Sequence, residues 1–298
     1  MRAHGTSRGS RVNTQASGSR SPTESDRHRR YGDLVHHAIF MPPLGELADP
    51  HAIIDIAIAA EESGWDGLFV WDHVLSPIGG DWAIADPWVA LAAAAARTSR
   101  IRLGPMVTPL PRRRILKLAR ETVTLDRLSR GRLILGLGTG DDRGREYSAV
   151  GENIDARRRG RILDEGVGVL TALWAGKTVT HHGELIVDDV RAVPDGAPQT
   201  RIPLWFGTAR HDGKPVERAA RHDGIFPLTG DASTVAQIAE TIEQLRGSRE
   251  GFDIAVKTKP GTDAAEFAAA GATWAMHAFW PADRPDQVLQ VIEAGRPG

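Results

Sequence analysis

The apolar run "GLFVWDHV" (67–74) ends on two titratable side chains, Asp72 and His73. A histidine at such a place can act as acid, base or hydrogen-bond donor near neutral pH. Neighbouring strand residues face opposite sides, so a regular strand points only one of the pair into a common cleft. Other apolar runs also end on chemistry. "GRLILGLG" (131–138) leads into "TGDD", which holds Thr139 and Asp141, and "IPLWFG" (202–207) leads into "TARHDGKP". Gly136, Gly138 and Gly140, and then Gly207 with Thr208, leave room for a flat group to approach the backbone. Gly213, Lys214 and Pro215 open a helix, where free N–H groups and a lysine suit an anion, with Arg210 as a second contact. "GLGTGD" is a weak nucleotide motif, because Asp141 takes the place of the third glycine of G-x-G-x-x-G.

These ends need a scaffold that brings them together. From Leu34 on, β-rich runs alternate with Ala-rich helical stretches, giving eight strand–helix units. The strands are read at 35–41, 67–71, 101–107, 131–138, 202–207, 223–228, 252–258 and 273–279. Helices over 49–64 and 86–99 share an Asp cap followed by proline, and Gly64 and Gly176 stand past helix ends. A helix over 113–129 lines up Leu118, Thr122 and Leu125 on one face. Residues 177–199 read as a hairpin-and-loop excursion after strand four. Alternation of this kind implies parallel pairing with right-handed crossovers. The predicted fold is an α/β (β/α)8 TIM barrel over residues 31–298, with an insertion after strand four. In such a barrel function gathers at the carboxyl ends of the strands. An open doubly wound sheet is the alternative, but "MPPLGE" after the first strand is no glycine-rich turn.

Composition bounds the rest. The chain has 298 residues, 41% of them hydrophobic, a formal net charge of −1 and no cysteine. Disulfides and thiolate metal sites are excluded. No global basic field exists to grip nucleic acid, and the basic stretch "RRRILKLAR" (112–120) reads as a solvated helix face. No apolar run approaches the roughly 20 residues that a bilayer requires. A reducing cytoplasm is the natural home. Residues 1–30 are rich in Arg, Ser, Gly and Thr and read as a disordered extension, with an organelle transit peptide as the alternative. No metal site is predicted. No H-x-H occurs, and the pairs His36–His37 and His181–His182 are adjacent, which disfavours a metal-dependent barrel hydrolase.

"ELADPHAIIDIAIAAEESGWDGLFVWDHV", "RIRLGPMVTPLPRRRILKLARETVTLDRLSRGRLILGLGTG" and "AARHDGIFPL" resemble the bacterial-luciferase-like oxidoreductases from about residue 35 to the end. The W-D-H strand end, T-L-D-x-L-S-x-G-R-L and A-A-R-x-D-G-x-F carry the likeness. It implies a (β/α)8 barrel that holds FMN or the deazaflavin coenzyme F-420 at its carboxyl face, for hydride transfer or monooxygenation of a small organic substrate. It implies His73 beside the redox carbon and a carboxylate after G-T-G, here Asp141, as the catalytic pair. Asp72, Thr108, Gly138, Thr139, Gly207, Thr208 and Lys214 are the implied cofactor set, with a strand-three bulge or unusual peptide near Pro105–Met106. A homodimer is implied in the same way. The chain also departs from the pattern. It reads G-T-G-D-D-R-G where deazaflavin sugar-phosphate dehydrogenases read roughly G-T-G-E-x-x-N, so Gly144 replaces the amide. Lys257 and His277 stand in regions where close relatives often carry a carboxylate, which makes a non-catalytic cofactor-binding barrel the alternative function.

Overall fold

A computed structural model describes Met1, residues 35–192 and residues 201–297. Apart from Met1, the N-terminal extension lies outside the described residues, as does the end of the 177–199 excursion. The chain alternates strands β1 (His36–Met41), β2 (Gly67–Val70), β3 (Arg102–Pro105), β4 (Thr108–Pro109), β5 (Leu135–Gly138), β8 (Leu204–Thr208), β9 (Gly224–Pro227), β10 (Asp253–Thr258) and β11 (Trp274–Ala278) with helices. These are α1 (Pro50–Glu62), α2 (Pro87–Arg97), α3 (Ile115–Leu128), α4 (Ala156–Trp174), α5 (Lys214–Ala220), α6 (Ala232–Arg246), α7 (Ala265–Ala270) and α8 (Pro285–Glu293). Strands β6 (Thr178–His182) and β7 (Ile186–Arg191) form the inserted antiparallel hairpin between α4 and β8.

All the barrel strands pair in parallel, in the order β3-β2-β1-β11-β10-β9-β8-β5-β4. β3 and β4 are the two halves of the third barrel strand, one paired with β2 and the other with β5, and a Leu103–Leu133 bridge joins the ring beneath them. The eight-stranded (β/α)8 barrel expected from the sequence is therefore found, with its third strand broken. The break holds a cis Met106–Val107 peptide, one bond beyond the expected position.

Two cores result. The larger lies between the strands and the helices, and the smaller fills the barrel with Phe40, Phe69, Trp205, Phe226, Trp274 and their neighbours. The sequence marks that carry the family likeness serve this architecture. Asp66 accepts from the His37 N–H, and Asp223 accepts from the Leu204 N–H, so each Asp-Gly pair fixes a strand start against the preceding barrel strand. The following Gly67 and Gly224 leave space for Trp274 and Trp205, which a Cβ would strike at 2.9 and 2.4 Å. Arg132 of the S-x-G-R-L passage is buried and donates to Ala95 O, Thr98 O and Ile101 O, which closes the end of α2. The caps at Asp49 and Asp86 are formed as expected, and Gly64 and Gly176 take left-handed conformations past their helices.

The helix expected over 113–129 starts at Ile115, because Leu110–Arg112 make a tight turn closed by the Arg113 N–H on Leu110 O. That turn corrects the reading of the basic stretch. Arg112 and Arg113 are not on a solvated face: their side chains are 6% and 17% exposed and point back to the strand ends.

Candidate functional site

Two acids organise the carboxyl end of β2. Asp72 lies two residues past β2, and its side chain has no exposed surface. One oxygen accepts from Arg112 at 3.0 Å and Arg113 at 2.7 Å. The other accepts from Thr108 Oγ1 at 2.7 Å, Trp88 Nε1 at 3.1 Å and Arg113 at 2.6 Å. A carboxylate so buried is tolerable only with this many charged and polar partners. Asp72 therefore fastens β4, α2 and the Leu110–Arg112 turn to the rim. The expectation that it touches a cofactor needs correction, since no part of its carboxylate is accessible.

The second acid is Glu146, which the sequence reading missed. It reaches back from the loop after β5 and is buried. Oε2 lies 2.8 Å from His73 Nδ1, and Oε1 accepts from the Val74 N–H at 2.6 Å and from Arg112. Burial alone would raise its pKa, but the hydrogen bond from His73, the charges of His73 and Arg112, and the Val74 N–H outweigh burial and hold it below the usual glutamate range. An ionised Glu146 accepts from His73 Nδ1–H, which fixes the ring's tautomer and leaves Nε2 free. Among the described residues Nε2 has no partner. The ring stands edge-on to Trp71 at 5.9 Å, and Trp71 in turn meets the exposed Trp280 at 5.6 Å. Only the acidic spacing "GDDRGREY" hinted at Glu146, and three acids in six residues gave no means to choose among them.

Asp141 sits apart from that pair. Its side chain is 43% exposed and bonded to Arg143 at 2.6 Å. Burial raises its pKa, yet Arg143 and the charge of nearby His73 bring the net value below the usual range. The loop that carries it is held by Tyr147, whose hydroxyl donates to Thr139 O at 3.0 Å and whose pKa burial pushes up to about 12. Gly140 leaves room for that hydroxyl, since a Cβ would come within 2.6 Å of it. Gly144 lets the loop lie on Ser76 O, which a Cβ would meet at 2.8 Å.

The remaining expected residues divide. Thr108 is buried and bonded to Asp72. Gly138 and Gly207 border the mouth, but the space they leave is filled by the chain itself. Added Cβ atoms would meet the Val107 side chain at 2.8 Å in both cases. The reading that they admit a flat ligand is thus corrected: they admit the Met106–Val107 break. Thr208 Oγ1 is spent locally, donating to Arg210 O at 2.6 Å. Lys214 is exposed at the start of a seven-residue helix, and Arg210 is already paired with Asp212 at 3.1 Å. These residues form no assembled anion site. His277 points away from the mouth, into the outer shell, with Nε2 2.9 Å from His37 Nδ1.

Above the barrel core the mouth is floored by Trp71, Val107, Leu228 and Ala278. The Trp71 indole N–H is buried and, among the described residues, has no acceptor. An apolar floor of this kind suits a planar heteroaromatic ring. Among the described residues no group of three or more His, Asp or Glu side chains is placed to hold a metal, and no helix is long and apolar enough to cross a membrane.

An eight-stranded barrel with its polar cluster at the carboxyl rim defines a TIM-barrel protein with an enzyme-like mouth. The chain belongs to the luciferase-like monooxygenase family, whose model matches residues 23–294. An F420-dependent glucose-6-phosphate dehydrogenase of Nakamurella multipartita is 33% identical over 192 residues, covering 62% of this chain and 54% of that protein. Its namesake in Microbacterium testaceum is 32% identical over 218 residues, or 70% and 64%. The chain thus spans between about half and two thirds of these relatives' lengths. Among solved structures, an F420-dependent secondary alcohol dehydrogenase in complex with an F420-acetone adduct superposes with a TM-score of 0.73. At 18% identity, over 87% of this chain and 97% of that one, this likeness shows the shared fold.

Proposed function

We propose that this protein is an oxidoreductase that holds F420 or FMN at the carboxyl end of its barrel and acts on a small organic substrate, with His73 handling the proton. The observation that carries this reading is the His73–Glu146 hydrogen bond of 2.8 Å, which leaves one ring nitrogen free at the rim. The bound cofactor would supply hydride transfer or, as reduced flavin with oxygen, monooxygenation. The F420-dependent names of both relatives favour the deazaflavin.

The chain's own residues have distinct parts. Glu146 fixes the His73 tautomer, and His73 Nε2 gives or takes the substrate proton. Asp141, kept ionised by Arg143, is a second candidate base. Asp72 positions Thr108 and the two arginines. Val107, backed by Gly138 and Gly207, supports the ring, and Trp71 and Trp280 exclude water beside it. Thr139, Thr208 and Lys214 remain candidate contacts for the rest of the cofactor. A homodimer in the cytoplasm completes the proposal, on the strength of the family likeness and the cysteine-free chain.

Equilibrium binding of F420 and FMN, followed by absorbance, tests the reading. Saturable one-to-one binding of one of them is expected, followed by its reduction with glucose 6-phosphate or a secondary alcohol among the trial substrates. Binding of neither would overturn the proposal. Tight binding with no turnover on a broad panel would favour a cofactor-carrying barrel.

A further inference from the structure

Strand β10 sends a cation into the barrel. Ala255 belongs to the interior core, whereas Ile254 and Val256 belong to the outer one. The two-residue strand period therefore puts Lys257 on the inner side. Lys257 pairs in register with Met276, itself an interior residue. The registers around the ring place Lys257 level with Phe40 and Gly207, just beneath Trp71, Leu228 and Ala278. It is partly buried, and among the described residues no hydrogen bond or ion pair engages its ammonium. Burial alone acts on its pKa, downward, and no neighbouring charge offsets this.

An apolar side chain would fill this position without the cost of desolvating an ammonium. The cation is accounted for if an anion comes to it. The strand order sets β10 four places from β3–β4 in either direction. Lys257 thus faces the Met106–Val107 support across the barrel, while His73 stands at the end of β2. An eight-stranded barrel is only wide enough for side chains or one small ligand. One small molecule in the mouth meets both His73 and Lys257 where the lysine stem carries its ammonium up to the Leu228–Ala278 floor, or the molecule's anionic end passes below that floor.

We propose that Lys257 receives an anionic group, a carboxylate or a phosphate, on the substrate of this site. The assignment deepens the proposed function and rests on it. Its test needs no identified substrate. The lysines of the chain are Lys117, Lys177, Lys214, Lys257 and Lys259, so reductive methylation with 13C-formaldehyde gives few dimethyl-lysine signals. The Lys257 signal is assigned by its loss in Lys257→Met. The full-length protein is titrated with sodium phosphate and separately with sodium acetate, alone and saturated with F420 or FMN, with glycerol as the neutral control. The expected result is a saturable shift of the Lys257 signal with phosphate, acetate or both, in the cofactor-bound as well as the free protein. The stronger anion names the group. Lys257→Arg should still bind that anion, and Lys257→Met should weaken it by about tenfold or more, because a charge-assisted bond is lost. Circular dichroism of both variants checks that they fold. No saturable shift with either anion would overturn the assignment. So would a shift that saturating cofactor abolishes, since Lys257 would then serve the cofactor. Cofactor absorbance in the same samples scores the proposed function separately. If neither cofactor binds, that function fails, while the anion titration still decides whether Lys257 holds an anion.

Discussion

His73 and His277 both stand near the carboxyl ends of barrel strands, and the structure gives them opposite lives. His73 is 24% exposed and bonded through Nδ1 to the Glu146 carboxylate, which leaves Nε2 without a partner among the described residues. His277 is fully buried and bonded to another histidine. Its Nδ1 accepts from the Gly261 N–H at 3.1 Å, so its Nε2 carries the proton and donates to His37 Nδ1. Burial, and then the neighbouring His37, push its pKa down to about 4. One histidine keeps a free ring nitrogen at the rim, and the other is kept neutral to hold β1, β11 and the loop after β10 together. The partner, more than the strand position, decides which role a histidine takes.

The contrast can be broken from either side. The largest effect is expected on turnover, from His73→Ala. Loss of a positioned acid or base should cost about 10²–10⁴-fold, with cofactor affinity little changed. Glu146→Gln should lower turnover by a smaller factor, since the ring stays but its tautomer is no longer enforced. Equal losses in both variants would mean that Glu146 itself touches the substrate.

Asp72→Asn strikes at the scaffold. It removes the charge that Arg112 and Arg113 share, and breaking a buried pair of this kind costs about 3–5 kcal/mol. Urea unfolding should show that loss, and a change under about 1 kcal/mol would mean that the arginines find other partners.

The buried histidines predict a pH dependence. A depressed folded-state pKa means that the unfolded chain binds protons first as pH falls. The stability from neutral His277 is therefore whole above about pH 6.5 and drains away down to about pH 4. The total is on the order of 3 kcal/mol. His277→Gln, which cannot titrate, should flatten stability over that window, and an unchanged slope would assign the effect elsewhere. The smallest effect is expected at Asp141. Asp141→Asn should leave stability within about 0.5 kcal/mol, as for a surface change, and lower turnover less than His73→Ala does.

Much of the frame was legible in the residues. Strand–helix alternation, Asp-Pro helix starts and the Asp-Gly strand starts are local devices that a sequence displays directly. The third-strand break was anticipated from the family likeness. The site was only half legible, because its bonds run between distant segments. Nothing local to Asp72 announces Arg112 and Arg113 forty residues on, or tells Glu146 from Asp141 as the partner of His73. The rim glycines were visible as small residues, but which neighbour takes up their space depends on the packing of Val107. Lys257 and His277 lie on neighbouring strands, and only the register separates the inward cation from the outward imidazole.

The most direct measurement compares cofactor dissociation constant and single-turnover rate for the wild type and His73→Ala, with F420 or FMN, whichever binds, and a substrate found on the panel. A rate about a hundredfold or more lower, with the dissociation constant unchanged, is the expected result. A collapse of affinity with the bound cofactor still turning over at the wild-type rate would contradict the proton-handling role of His73.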